Sequence, residues 1–170
     1  MCDNYKISVL LMTLLLGGGT VGSYVPIIKG QLSGKGTDFW AGMNPNPSML
    51  FYTLQGLAAA GYLTYFTDFM TDKTKSKQKK IAVTILIGIL LASALGWGVS
   101  VQTTTMKWIV SGSLIVTALA SIGLLVVESI PFENEPPSKP YNIVSLTLLC
   151  VVTVIVDAIF WNKSYRICGS

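Results

Sequence analysis

The chain has 170 residues, of which 51% are apolar and only 12% charged, with a net charge of +4 and a mean hydropathy of +0.59. A soluble domain usually carries about 25% charged residues, so there is too little charge to hydrate a surface of this size, and a lipid bilayer is expected to cover most of it. There is no histidine, which removes the commonest general base and the commonest metal ligand.

Crossing the hydrocarbon core takes roughly 20 apolar residues as a helix. Five stretches qualify: Ile7 to Ile28, Ser48 to Thr67, Ile81 to Val101, Trp108 to Val127 and Tyr141 to Trp161. The expected fold is all-α: a polytopic membrane protein, a bundle of five transmembrane helices in a single domain over 1–170. The first stretch has the outline of a signal peptide, with Lys6 before the apolar run Ile7 to Leu16 and small residues from Gly17 to Ser23. Its apolar character continues through Tyr24 to Ile28, which is long for a cleaved leader, so a retained helix is expected.

The connectors differ in character. Residues 29–47 are rich in Gly, Asn and Pro and contain Phe39 and Trp40. Asn44-Pro45-Asn46-Pro47 is expected to be non-helical, because each proline disfavours α geometry in the residue before it. Residues 68–80 carry five lysines, residues 102–107 form a tight polar turn, and residues 131–140 are acidic and proline-rich, expected to be extended and to stop the fourth helix. By alternation, Lys6, Lys73, Lys75, Lys77, Lys79, Lys80 and Lys139 share the side of the N-terminus, seven cations against Lys29, Lys35, Lys107, Lys163 and Arg166 on the other. That bias places the N-terminus on the cytoplasmic or inner side and the C-terminus opposite. Aromatics cluster at the ends of the stretches, as interfacial belts do: Phe51, Tyr52, Tyr65, Phe66 and Phe69 on the second, Trp108 on the fourth, Tyr141, Phe160 and Trp161 on the fifth.

In the third stretch Thr84, Gly88, Ala92, Gly96 and Ser100 recur at every fourth position. Such a stripe lets another helix approach closely, either within the chain or from a second subunit. Ser113, Thr117 and Ser121 form a shorter version in the fourth, Gly18 and Gly22 mark the first, and Gly56 and Ala60 the second. Asp157 is the acid well inside a stretch, with Ser145 and Thr153 on its helical face, and Gln55 is the other intramembrane polar candidate. Polar groups at that depth either mark ion or ligand paths or join helices by hydrogen bonds. Glu128, Glu133 and Glu135 read as a solvated acidic segment, and the five lysines after the second stretch as topogenic charges.

No phosphate-binding loop, paired carboxylate motif, Cys-x-x-Cys pair or Ser-His arrangement occurs, so no catalytic residue, cofactor or metal site is expected. Cys2, Cys150 and Cys168 lie far apart without metal-ligand spacing, and Cys150 falls mid-stretch as a small apolar packer. The positive charge is concentrated in one lysine cluster, so nucleic acid is not an expected partner; lipid and other protein subunits are. Asn162-Lys163-Ser164 matches a glycosylation sequon but abuts the membrane and is expected to stay unmodified.

In helix number, length and the Trp- and Pro-containing loop (Phe39-Trp40, Asn44 to Pro47) the chain resembles the tryptophan-rich sensory, or peripheral benzodiazepine receptor, family in architecture. The second stretch lacks Trp and the third has only Trp97 with no Asn beside it, so the resemblance carries no ligand-binding residue across. The sequence leads to a non-catalytic membrane subunit, a structural, anchoring or assembly component of a larger membrane-associated complex, organellar or viral. The alternative is a small transporter, channel or lipophilic-ligand-binding protein lined by Asp157, Gln55 and the Ser/Thr faces.

Overall fold

The computed structural model describes residues 4–32, 45–103, 107–132 and 135–162. Phe39, Trp40, Asn44, Glu133, Cys2 and Cys168 lie outside the described residues. Among those described, the regular structure is helical throughout. Helix α1 covers 4–32, with Asn4–Met12 and Gly18–Leu32 joined by a π-helical turn at Thr13–Gly17. Helix α2 is Pro45–Thr71, α3 is Lys77–Thr103 and α4 is Lys107–Ser129. Helix α5 covers 140–161 and changes from α-helical over Pro140–Val151 to π-helical over Val152–Trp161.

Four of these, at Tyr5–Pro26, Lys77–Gln102, Lys107–Ser129 and Pro140–Trp161, are long and apolar enough to cross a membrane. Helix α2 has the length, at 27 residues, but proline, asparagine, glutamine, threonine and tyrosine side chains dilute its apolar character.

Each helix runs past its apolar stretch, because polar residues extend and cap it. Ser76 precedes α3, and its hydroxyl accepts the Lys79 backbone N–H at 3.2 Å, an N-cap bond. At α2 the expectation of a non-helical Asn-Pro-Asn-Pro segment is corrected, since the helix begins at Pro45 and includes Asn46 and Pro47. First-turn N–H groups have no intrahelical partner, so prolines there sacrifice no hydrogen bond and carry a preset helical φ. Residues 131, 132 and 135–139 are non-helical, and Pro140 restarts the chain as the first residue of α5.

The helices alternate in direction around a ring. Helix α1 packs on α3, α3 on α4, α4 on α5 and α5 on α2. The ring closes between α2 and α1 through side chains: the Thr13 and Tyr62 hydroxyls hydrogen-bond at 2.8 Å, and the Tyr5 and Phe69 rings meet edge to face. All five helices feed one core, with Val9 from α1, Tyr65 and Phe69 from α2, Val83 and Ile87 from α3, Leu124 from α4, and Leu146 and Val152 from α5. The aromatic belt is corrected here: Tyr65, Phe69 and Trp161 are buried, whereas Trp108, Tyr141 and Phe160 are exposed.

Where lipid replaces water, burial of apolar surface no longer drives helices together, and close packing takes over. Glycines make the closest approaches. A Cβ on Gly61 of α2 would stand 2.8 Å from the Ser145 carbonyl oxygen of α5; one on Gly123 of α4 would stand 2.9 Å from Leu86 of α3; one on Gly98 of α3 would collide with Ser23 of α1.

Candidate functional site: two polar ends of the helix bundle

The alternating helices gather the beginnings of α1, α3 and α5 and the ends of α2 and α4 at one end, which carries the lysines. The opposite end carries Trp97, Trp161 and Asp157.

At the lysine end two clusters lock the connectors together. Glu128, in the last turn of α4, accepts both carboxylate bonds from Lys75 Nζ, at 2.7 and 2.8 Å, and a third from the Tyr65 hydroxyl at 3.1 Å. Lys75 also lies over the Tyr65 and Phe69 rings, 5.1 and 5.8 Å from their centroids. Lys79, only 2% exposed, reaches the carbonyls of Glu128 and Ile130 and the Ser138 hydroxyl, and pairs with Glu135 at 3.4 Å. Glu135 also accepts the Ser76 backbone N–H. In a capping box that bond comes from the third residue of the helix itself; here the third residue is Lys79, and a carboxylate 59 residues away supplies it. In the second cluster Asp68 accepts from Asn142 at 2.6 Å, from the Tyr141 hydroxyl and from Lys139, which also pairs with Asp72 at 3.8 Å. Between the clusters lies a cavity of about 220 Å³ bounded by Thr74, Lys75, Lys79, Glu135, Ser138 and Lys139.

These partners tune the ionisable groups. Burial pulls the Asp68 carboxyl upward, but bonds from Asn142, Lys139 and Tyr141 outweigh it and hold it below its ordinary 3.8. Burial likewise opposes, and the Ser76 bonds and Lys79 charge overcome, in holding Glu135 below 4.5. The bond to Asp68 lifts the Lys139 ammonium above its ordinary range.

Glu128 and Glu135 therefore depart from the expectation of a solvated acidic segment. Lys75, Lys79, Glu128 and Glu135 are internal ion pairs, while Lys73 and Lys77 stay exposed. A signal for this lies in the connector parity: the lysine-rich and acidic connectors fall on the same side of the bundle, so opposite charges at span ends are neighbours. The roles of Tyr65, Tyr141 and Asn142 carry no such signal, because each is a common helix residue until its partner is placed.

At the opposite end the two intramembrane polar candidates meet. The Gln55 side-chain amide of α2 donates to Asp157 Oδ1 of α5 at 2.5 Å. Asp157 sits inside the π-helical stretch, and its carbonyl accepts the Asn162 N–H five residues on. Beside the pair is an aromatic cluster: Trp97 and Trp161 pack edge to face with centroids 5.3 Å apart, Tyr24 lies 5.5 Å from Trp97, and Tyr52, one turn before Gln55, packs against the group with Val110 and Leu114. Asp157 and Tyr52 both lie within electrostatic reach of the Tyr24 hydroxyl. The expected polar stripe on α5 divides among neighbours: Thr153 bonds Ser121 of α4 at 2.6 Å, and the Ser145 backbone faces Gly61. Asn162 of the sequon is buried and accepts from Ser111 at 2.6 Å.

The helix-three stripe also divides. A Cβ on Gly88 would stand 3.0 Å from Met12 Sδ of α1. Thr84 bonds the Lys80 carbonyl and Ser100, buried, the Trp97 carbonyl. Ala92 and Gly96 are exposed, and Gly96 has open space before it. In α4, Thr117 bonds Ser93 of α3 at 2.8 Å.

No family model, curated protein or solved structure matches the chain, and the roles of its residues come from their geometry.

Proposed function

We propose that the chain is a five-span integral membrane protein that serves as a non-catalytic subunit, a structural, anchoring or assembly component of a larger membrane-associated complex, organellar or viral. One observation carries this reading: each described carboxylate is engaged in joining helices or connectors, Asp68, Asp72, Glu128 and Glu135 at the lysine end and Asp157 to Gln55 at the other. Chemistry held this way favours a rigid scaffold over acid–base work.

Helix α2 completes the five spans. Its 27 residues rise about 40 Å, its acid sits in the last turn, and Gln55, Tyr62 and Tyr65 are bonded to neighbouring helices. The lysine end is assigned to the cytoplasmic or inner side from the cation bias, with the C-terminus opposite. Lipid and other protein subunits are the partners. Helix α1 offers both a surface, with Leu14 62%, Leu15 71% and Val21 69% exposed beside the open Gly18 and Gly22. Purification in a mild detergent tests the reading: a co-purifying partner supports it, and a lone monomer counts against it.

A second reading, a small transporter, channel or lipophilic-ligand binder, is favoured by the Asp157–Gln55 contact inside the bundle. On that reading Asp157→Asn abolishes flux in proteoliposomes and leaves the fold intact.

A further inference from the structure

We infer that the tryptophan end holds a binding site for a lipophilic organic cation, an ammonium or phosphonium centre carrying apolar groups, with Asp157 as counter-ion and Tyr24, Tyr52, Trp97 and Trp161 as its walls. The inference rests on the second reading above, that this end receives a ligand.

The first support is a missing counter-charge. Asp157 lies in the run Val154 to Phe160, whose other members are all apolar. A carboxylate in such surroundings is costly unless a cation accompanies it. At the lysine end each buried acid has an ammonium of the same chain. Among the described residues Asp157 has no ion pair; its Oδ1 accepts from the neutral Gln55 amide, and Oδ2 accepts nothing. No described residue of the chain supplies the countercharge, and a cationic ligand would.

The second support is the wall. Four rings from α1, α2, α3 and α5 converge at the depth of that carboxylate. Aromatic faces attract cations through their quadrupole, and quaternary ammonium groups are recognised in such surroundings. A metal ion needs a shell of oxygen donors, whereas the site is dominated by ring carbon. A bare proton would satisfy the carboxylate but gives no role to the rings.

The third support is backbone geometry. Ten successive π-helical residues are rare, and π-type turns occur frequently at functional sites; this stretch carries both Asp157 and Trp161.

The full chain in detergent is titrated with tetraphenylphosphonium, reading retained radiolabel and tryptophan emission. Saturable binding at one cation per chain is expected, with Asp157→Asn weakening it by at least about tenfold at unchanged helical circular dichroism, and Asp157→Glu retaining most of it. Neutral triphenylphosphine oxide should fail to compete, a comparison made on the unaltered chain and independent of how the variants fold. Binding above empty micelles that does not saturate, equal competition by the neutral compound, or a folded Asp157→Asn that binds as well as the original overturns the site. Saturable, Asp157-dependent binding without flux in proteoliposomes keeps the site and removes the transporter reading.

Discussion

The two ends of the bundle solve the problem of buried charge in opposite ways. At the lysine end, Glu128 and Lys75 are 1% and 6% exposed and meet through two bonds, with a phenol completing the carboxylate's shell. At the tryptophan end a carboxylate meets an amide, and aromatic rings occupy the positions that lysines hold elsewhere. A paired ion in a low-dielectric setting fixes geometry tightly, because displacing either partner strands the other. An amide and packed rings tolerate displacement, since neither carries a formal charge. The lysine end is thus built to hold one arrangement, and the tryptophan end is the one where the proposed cation would be received.

The contrast is broken most severely by Glu128→Ala, which leaves the Lys75 ammonium buried without its partner. A loss of about 3–5 kcal/mol is expected, read as a lowered unfolding midpoint in mixed-micelle denaturation. Adding Lys75→Met should recover much of it, because the stranded charge goes too. If Glu128→Ala unfolds no more easily than Asp157→Asn, the distinction between the ends fails.

Gly61→Ala acts between the ends. Its new methyl meets the Ser145 backbone carbonyl, which cannot rotate away, so α2 and α5 must separate. A loss of about 1–3 kcal/mol is expected in thermal unfolding, against no change for Gly96→Ala, which faces open space.

Acid should affect the lysine end with a definite sign. Asp68, Asp72 and Glu135 are held below their ordinary values of 3.8, 3.8 and 4.5. Their contribution is complete above those values and is lost as pH falls through the lower folded-state values. Lys139 is raised, so its contribution is complete below 10.5 and is lost only as pH rises beyond it. Unfolding midpoints should therefore drop on acidification below about pH 4, and the drop should shrink in Asp68→Asn. A flat profile from pH 7 to 3 removes the network's role.

The smallest effect is on stability at the other end. Asp157→Asn keeps a carbonyl oxygen to accept from Gln55 and removes a charge without a cation beside it, so no loss of stability is expected.

Much of the helical layout was legible, because apolar runs of membrane length have few other uses. Asp157 and Gln55 were legible as isolated polar residues, but their contact spans 102 positions and depends on α2 and α5 being neighbours, which no local pattern encodes. The lysines read only as topogenic charges because a sequence has no depth coordinate: Lys75 and Lys79 are set apart from Lys73 and Lys77 by which way the turn before α3 and the first turn of α3 face. Tyr65 and Phe69 resembled interfacial anchors, yet the ionic layer closes over them, so they become core. The four-residue stripe on α3 rotates by about 40° per step, which brings Gly88 against α1 and leaves Ala92 and Gly96 outside. Gly98, off the stripe, is where Ser23 makes its close approach.

The cap that Glu135 places on Ser76 has a consequence in time. At about 5–20 residues per second of synthesis, the carboxylate emerges from the ribosome about 3–12 s after the backbone N–H it serves, the delay set by their 59-residue separation. On the five-span reading, α3 enters the bilayer before α4 and the proline connector exist. Lys75 and Lys79 then lack their carboxylate partners and are able to hold the turn on one side of the membrane while orientation is being decided. Once α4 and the proline connector arrive, the same two ammonium groups pair with Glu128 and Glu135 inside the bundle. On the proposed orientation the lysine cluster has two successive occupations, steering the nascent chain first and sealing the finished bundle afterwards.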